Sequence, residues 1–304
     1  MRLDGSGAGT NLVESEIPRP AAEVGEVLIK VHAVGVTPTE LGWYPTTHSK
    51  SGEVRVGAVP GHEFSGVVAE VGAGVVDWAV GGEVYGMNDW FADGALAEYC
   101  VTRPEWIAAK PKSMSHEEAA TVPIGALTAW QGLFERAGLQ TAERVLVHGG
   151  AGAVGVFAIQ LARARGAHVI ATASAKNLEF VKELGAAEAL DYRGKPFEEV
   201  VRDIDVVFDG VGGETLLRSW GVLKPGGRMV TIAADGERAQ DDRTTQAFFI
   251  VEPRRTELEE IARRIDAGEL RTVVDRVVGW TDAPDIFEGR RERGGRGKVA
   301  VHVV

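Results

Sequence analysis

Three glycines, Gly150, Gly152 and Gly155, form G-x-G-x-x-G inside VLVHGGAGAVGVFAIQLA, and they are the residues of this 304-residue chain whose spacing most clearly implies chemistry. RVLVH before them reads as a short apolar strand. The segment after them reads as a helix with Val154, Phe157, Ala158, Leu161 and Ala162 on one face. A strand that turns through glycines into a helix makes a cradle for a pyrophosphate. The first glycine permits the tight turn, the second lets the backbone approach the phosphates, and the third lets helix and strand pack closely. Backbone N–H groups at the helix start then face the anion. Glycines also serve ordinary turns, so the motif counts here because it opens a longer strand–helix alternation.

The end of the next strand separates the two nicotinamide cofactors. An NAD site usually places Asp or Glu there for the ribose 2′-hydroxyl. This chain has ATASAKN, in which Thr172, Ala173 and Ser174 carry no acid and Lys176 adds a cation. Ser174 and Lys176 can donate to a 2′-phosphate, and Arg193 after the third strand can also reach it. NADPH is therefore the expected cofactor. The alternative is that Ser174 and Lys176 only begin the next helix.

The remaining reactive types are sparse. Cys100 is the single cysteine, which excludes an internal disulfide and a multi-cysteine zinc site. It lies in LAEYCVTRP, a strand-like run, and reads as a buried structural thiol. The net charge of −11 argues against nucleic acid and anionic lipid as partners. The late cluster Arg290, Arg291, Arg293, Arg296 and Lys298 reads as a solvated Gly/Arg turn. No apolar run suits a secretion signal or a bilayer span, so no membrane partner is expected and the cytoplasm is the expected compartment.

Two kinds of element must position these residues. Before about residue 115 the chain is β-rich: GEVLIKVHAVGV alternates apolar and polar residues, and FSGVVAEVGAGV, GGEVYGM and GALAEYCV add Gly-punctuated strands. A small barrel or sandwich follows. SHEEAATVPIGALTAWQGLFERAGL is helical, with Ser115 as N-cap, Glu118 as its capping-box partner, Pro123 as an interruption and Gly138 as a stop. From residue 144, strands RVLVHG, HVIATAS, AEALDY, DVVFDGV, RMVTIA and AFFIV alternate with helices, and PGG reads as a turn. That is a parallel, doubly wound sheet. EPRRTELEEIARRIDAGEL reads as one more amphipathic helix, and GKVAVHVV as a strand that returns to the first domain.

These segments closely resemble the medium-chain dehydrogenase/reductase superfamily, in its zinc-independent quinone oxidoreductase-like branch. PRPAAEVGEVLIKVHAVGVTPTEL, PGHEFSGVVAEVGAGV, AATVPIGALTAWQGLFERAGLQTAERVLVHGGAGAVGVFAIQLA, DVVFDGVGG, LKPGGRMVTI and GRGKVAVHVV carry the resemblance, in order, over nearly the whole chain. It implies a GroES-like β-domain (residues 1–118 and 251–304) and a Rossmann domain (residues 119–250), with the active site in the cleft between them and a homodimer as the assembly. It places Gly150, Gly152, Ala153, Val154 and Gly155 on the pyrophosphate. Ser174, Lys176 and Tyr192 would surround the 2′-phosphate, although Tyr192 reads equally well as a strand-end aromatic. Thr128 and Val211 fall beside the nicotinamide, and the backbone of Phe248, Phe249 and Ile250 would meet its amide and form a dimer edge. Thr37 stands where zinc-dependent relatives carry a ligand cysteine, and Ile124 where they carry another. His62 and Glu63 alone make no tetrahedral site, so no metal is expected and His62 reads as structural.

The resemblance implies hydride transfer from NADPH to a small quinone or α,β-unsaturated ketone. Candidate donors to the developing oxyanion are Tyr44 and Thr39, with Tyr44 equally readable as a loop aromatic. Trp43, Trp90 and Phe91 suit a flat apolar pocket or plain packing, and Glu40 stands where relatives carry Asp or Asn. A 2-enoyl thioester reductase and an NADPH-binding protein without turnover are the alternatives.

Overall fold

The computed structural model describes residues 1–4, 11–233, 241–290 and 295–304, so Arg291 and Arg293 of the basic cluster lie outside the described residues. Along the chain, short strands come first: β1 (Arg2–Leu3), β2 (Leu12–Val13) and β3 (Val27–Gly35). A short helix α1 (Tyr44–Thr47) follows, then β4 (Glu63–Val71), β5 (Glu83–Met87), β6 (Tyr99–Thr102) and β7 (Ile107–Ala109). Helices α2 (His116–Ala120) and α3 (Pro123–Trp130) come next. Ser115 caps α2 with a complete capping box: its hydroxyl accepts from the Glu118 N–H while the Glu118 carboxylate accepts from the Ser115 N–H. Pro123 opens α3, where its missing N–H costs nothing.

The alternating region then supplies β8 (Arg144–His148), α4 (Gly155–Ala164), β9 (His168–Ala173), α5 (Leu178–Leu184) and β10 (Glu188–Asp191). It continues through α6 (Phe197–Val200), β11 (Ile204–Asp209), α7 (Gly213–Ser219), β12 (Leu223–Thr231) and α8 (Asp242–Ala247). The chain closes with α9 (Arg255–Asp266), β13 (Val274–Val278), α10 (Ala283–Phe287) and β14 (Lys298–His302).

The chain forms two compact units, Met1–Ile124 with Glu252–Gly294 and Lys298–Val304, and Gly125–Val251 with Gly295–Gly297. In the first, β3 is the hub. Antiparallel β4 runs along one edge, while β6 and β14 divide the other: Val27–Lys30 pair with β6 and Ala33–Gly35 with β14. The alternation read in β3 turns Val27, Ile29 and Val31 into a core shared with Phe64, Val68, Val84, Ile107 and Phe287. Buried Tyr85 donates its hydroxyl to the Leu258 carbonyl of α9 at 2.6 Å, and burial pushes its pKa up. Cys100 is fully buried here and its thiol pKa is likewise driven up by burial, which matches the structural reading.

In the second unit, the described residues form a parallel sheet in the order β10-β9-β8-β11-β12. This is a Rossmann arrangement, with the order reversing beside β8. Leu146, Ile170, Ile204, Val207, Leu216 and Met229 pack within its core.

Three local expectations change. PGG is not a free turn: it lies inside β12, and the pairing with β11 jumps from Ile204↔Leu223 to Val206↔Arg228. An edge strand absorbs Pro in this way because the Pro nitrogen need not join the ladder. AFFIV is not a full strand. Asp241 caps α8 by accepting from the Arg243 N–H, the helix runs through Ala247, and Phe248 keeps only a single bridge to Thr231. Finally, β13 was not anticipated: VDRVV has little alternation, and it pairs in parallel with β14 across the α10 crossover.

Candidate functional site

The glycine turn leaves β8 after His148. Gly149 has a φ of +76°, a left-handed conformation that favours glycine. Its neighbour Gly150 donates to the Thr172 carbonyl at 2.9 Å, and Gly152 donates to the Gly149 carbonyl at 2.9 Å. Gly155 begins α4 pressed onto this turn, because a Cβ there would stand 2.2 Å from the Gly149 oxygen. Val154 at the N-cap offers no side-chain acceptor. No side chain caps the helix, and the Val156 and Phe157 N–H groups donate back to the Gly152 and Val154 carbonyls at 3.1 and 3.0 Å. Gly152 is exposed, and Ala153 and Val154 are partly so.

The ends of β9 and β10 meet beside this turn. Asp191 pairs with Ala173, and the Tyr192 N–H donates to the Ala173 carbonyl at 3.2 Å, which puts Tyr192 next to Ser174. The Arg193 guanidinium lies 5.3 Å over the Tyr192 ring. Lys176 is exposed, in the turn that starts α5. A further cation arrives here from far along the chain. Arg296 Nε donates to Asn177 Oδ1 at 2.8 Å, its Nη2 donates to the Lys176 carbonyl at 3.2 Å, and its guanidinium lies 4.6 Å over Phe180. The adjacent Gly297 N–H donates to the Ala151 carbonyl at 2.8 Å. Lys298 of the same cluster is buried against Glu63, which corrects the solvated-turn reading, whereas Arg296 is exposed but held by these partners. No local signal announced its place, because 119 residues separate it from Asn177.

At the end of β11, buried Asp209 accepts from the Val211 and Gly212 N–H groups and from Thr231 Oγ1 at 2.8 Å. This folds the following turn back so that Val211 borders Gly149, where a Cβ would stand 3.4 Å from Val211 Cγ2. Thr128 is buried on α3, one turn beyond Gly125, where a Cβ would stand 2.5 Å from the Ala153 carbonyl. Phe249 is buried and donates its N–H to the Thr231 carbonyl at 3.3 Å, while Ile250 is exposed and Phe248 partly so. One end of the sheet therefore gathers the glycine turn, Ser174, Tyr192 and Val211.

The β-rich unit holds the donor candidates. Thr39 is exposed in a 3₁₀ turn over Pro38–Gly42. Tyr44 opens α1, half exposed, with its ring stacked on His48 at 4.4 Å. Trp43 meets Trp90 edge-on at 5.0 Å, and Trp90 lies 5.2 Å from His62. His62 is fully buried, with Nδ1 2.5 Å from Glu40 Oε1 and Nε2 3.2 Å from the Ala92 carbonyl. Glu63 is also buried, holds the Lys298 ammonium and accepts the Ile124 N–H at 2.9 Å. Lys298 further reaches Thr37 Oγ1 at 3.3 Å.

The chain matches the alcohol dehydrogenase GroES-like domain over residues 23–112 and the zinc-binding dehydrogenase domain over residues 184–301. It is 32% identical to a zebrafish (Danio rerio) protein named NAD(P)H oxidoreductase RTN4IP1, mitochondrial, over 92% of this chain and 84% of that one. It is 33% identical to an Arabidopsis thaliana protein named NADPH-dependent alkenal/one oxidoreductase, chloroplastic, over 99% of this chain and 78% of that one. Among solved structures, the quinone oxidoreductase from Coxiella burnetii superposes with a TM-score of 0.89 at 28% identity, covering 100% of this chain and 98% of that one.

The names of these relatives point away from the cytoplasm expected above, since one is called mitochondrial and the other chloroplastic. The expectation rested on the lack of an apolar signal, and organelle addresses are amphipathic segments that such a test does not see. Among the described residues, no helix is long and apolar enough to cross a membrane. Fold, glycine turn and relatives agree: the chain belongs to the medium-chain dehydrogenase/reductase superfamily, among its quinone oxidoreductase-like members, as an oxidoreductase that uses a nicotinamide cofactor.

Proposed function

We propose that this oxidoreductase works without zinc and passes hydride from NADPH to a quinone or an α,β-unsaturated ketone. The observation that carries the cofactor choice is the end of β9, where Ser174, Lys176 and Arg296 stand and the ATAS segment offers no carboxylate for a 2′-hydroxyl. The glycine turn fits a pyrophosphate, since it opens α4 with no side-chain cap and leaves Gly152 exposed, and Gly150, Gly152, Ala153, Val154 and Gly155 would hold it. Ser174, Lys176, Tyr192 and Arg296 would hold the 2′-phosphate. Thr128, Val211 and the backbone of Phe248, Phe249 and Ile250 would line the nicotinamide side.

When bound, NADPH supplies the hydride, and the protein supplies orientation and a dry setting. The edge-on pair Trp43 and Trp90 offers an apolar wall to a flat substrate. Reduction adds a hydride and a proton, and the growing negative charge on the substrate oxygen calls for a donor. Tyr44, stacked and half exposed, is the side chain given that role, with Thr39 as a second donor.

The residues do not fit a catalytic zinc. Both ring nitrogens of His62 face oxygen acceptors, Glu63 is engaged by an ammonium and a backbone N–H, and the position of a ligand cysteine is held by Thr37. No step is assigned to a metal.

The test is oxidation of NADPH and of NADH by the purified protein with an ortho-quinone, a para-quinone, a 2-enone and an enoyl thioester. NADPH-selective turnover with a quinone or the enone is the expected result. Turnover confined to the thioester would replace the substrate class, and NADPH binding with no turnover would leave a cofactor-binding protein. Tyr44→Phe should lower kcat by about 10²-fold if the hydroxyl donates the proton, and an unchanged kcat would remove it from the chemistry. Lys176→Glu and Arg296→Ala should each raise KM for NADPH about tenfold while moving KM for NADH about twofold or less. A constant NADPH/NADH ratio in both variants would remove these cations from the 2′-phosphate.

A further inference from the structure

The glycine turn is braced from inside the sheet by a hydrogen-bond chain whose proton directions can all be assigned. Gly149 N–H donates to Thr172 Oγ1 at 3.4 Å, so that hydroxyl has its own proton left for His148 Nδ1 at 3.1 Å. On the far side of the ring, Nε2 lies 2.9 Å from Ser219 Oγ, and Ser219 Oγ donates to the Thr215 carbonyl at 2.6 Å. A hydroxyl has one proton to give, so Ser219 must accept from His148, which puts a proton on Nε2; with the imidazole neutral, Nδ1 accepts from Thr172.

The surroundings favour that state. His148 is 1% exposed, with the Phe197 ring 4.6 Å away in an edge contact. Burial, helped by the Arg218 guanidinium and opposed by Glu198, holds the imidazole pKa down at about 4. His148 ends β8, Thr172 lies on β9, and Thr215 and Ser219 lie on α7. The chain thus links the turn that opens at Gly149 to the helix that follows Val211–Gly212.

We propose that His148 is a positioning residue for the cofactor: it holds the backbone of Gly149 through Thr172 and α7 through Ser219, so that the glycine turn and the Val211 turn keep a fixed spacing. The proposal rests on the NADPH reading above. A histidine used only to fill the core would need no consistent donor–acceptor order running from a glycine N–H to a helix carbonyl. His148→Leu keeps volume but leaves Thr172 Oγ1 and Ser219 Oγ without their shared partner, so the hydroxyl that accepts the Gly149 N–H is no longer held.

The experiment compares the intact protein with His148→Leu, Thr172→Val, His148→Gln and a control, Leu139→Ala, which opens a cavity at a buried residue outside this chain of bonds. Hydrogen exchange is measured on the amides of residues 149–156 without ligand, and NADPH affinity by fluorescence titration. Both His148→Leu and Thr172→Val should exchange at least about tenfold faster there and bind NADPH about tenfold more weakly. Gln, which keeps a donor and an acceptor, should recover most of the affinity, and Leu139→Ala should lower Tm without changing Kd. Nitrogen NMR of the unligated parent protein should show His148 neutral and protonated on Nε2 at pH 6. Parent protein that does not bind NADPH would overturn the cofactor reading. Parent protein that binds, with Kd and local exchange unchanged in Thr172→Val or with His148 protonated on Nδ1, would overturn the positioning role. If His148→Leu fails to fold, Thr172→Val decides the matter, since Val keeps the shape of Thr in β9.

Discussion

Gly152→Asp is expected to fold like the parent chain and to bind NADPH about a thousandfold more weakly. Two features make folding the safe part. Gly152 is absent from the positive-φ glycines, and a Cβ placed on it would meet only the Gly149 oxygen at 3.2 Å. The side chain therefore points into open space at the mouth of the turn. A carboxylate there would sit within a few ångströms of a bound pyrophosphate, and two like charges about 4 Å apart near a protein surface repel by about 4 kcal/mol. That energy corresponds to roughly three orders of magnitude in Kd. Gly152→Asn supplies the bulk without the charge and should lose about tenfold or less. Gly155→Ala makes the opposite separation. Its Cβ would stand 2.2 Å from the Gly149 oxygen and 2.7 Å from Gly150 Cα, both backbone atoms that cannot swing away. It should cost about 1–3 kcal/mol of stability through overpacking. Calorimetry and NADPH titration on the three variants check the assignment, and a folded Gly152→Asp with parental affinity would remove the pyrophosphate from this turn.

Lys298→Met should destabilise the β-rich unit by about 3–5 kcal/mol, the usual consequence of leaving one member of a buried ion pair alone. Lys298 opens β14 and Glu63 opens β4, and both are buried. Without the ammonium, the Glu63 carboxylate keeps the Ile124 N–H as its partner in a site that water does not reach. Burial already raises the Glu63 pKa, with Lys298 as the main opposing influence. Removing Lys298 raises it further. A carboxyl whose folded pKa lies above its unfolded value favours the unfolded state as pH climbs past the unfolded pKa, and the penalty grows until pH passes the folded value. The deficit of Lys298→Met should therefore be largest at neutral and higher pH and shrink as pH falls toward about 4–5. Glu63→Gln combined with Lys298→Met should recover most of the loss, because it removes the uncompensated charge. Urea unfolding at pH 5 and pH 8 measures both effects. A deficit independent of pH would show that packing, and not the pair, is what Lys298 provides.

These two sites differ in how legible they were. The glycine turn is written within six residues, and the strand before it and helix after it carry their own periodicities, so its position and its flanking elements could be read together. The capping box of Ser115 and Glu118 was legible for the same reason, since its partners stand one helical turn apart. The PGG segment was misread because Pro and Gly signal a turn locally, whereas the neighbouring strand β11 decides whether the chain stays in the sheet. AFFIV was misread because its apolar run outweighed the cap at Asp241. The donor candidates of the β-rich unit were named, but nothing local could tell a stacked Tyr44 from a loop aromatic.

By itself the sequence determined the class of both folds, the glycine turn and the lack of an acid at the end of ATAS, because each depends on partners a few residues apart or on a repeating pattern. Only the tertiary structure decided the partners of Arg296, Lys298 and His148. Their partners lie 119, 235 and 24 to 71 residues away, and a side chain acquires a distant partner only when the packing of strands and helices brings the two together.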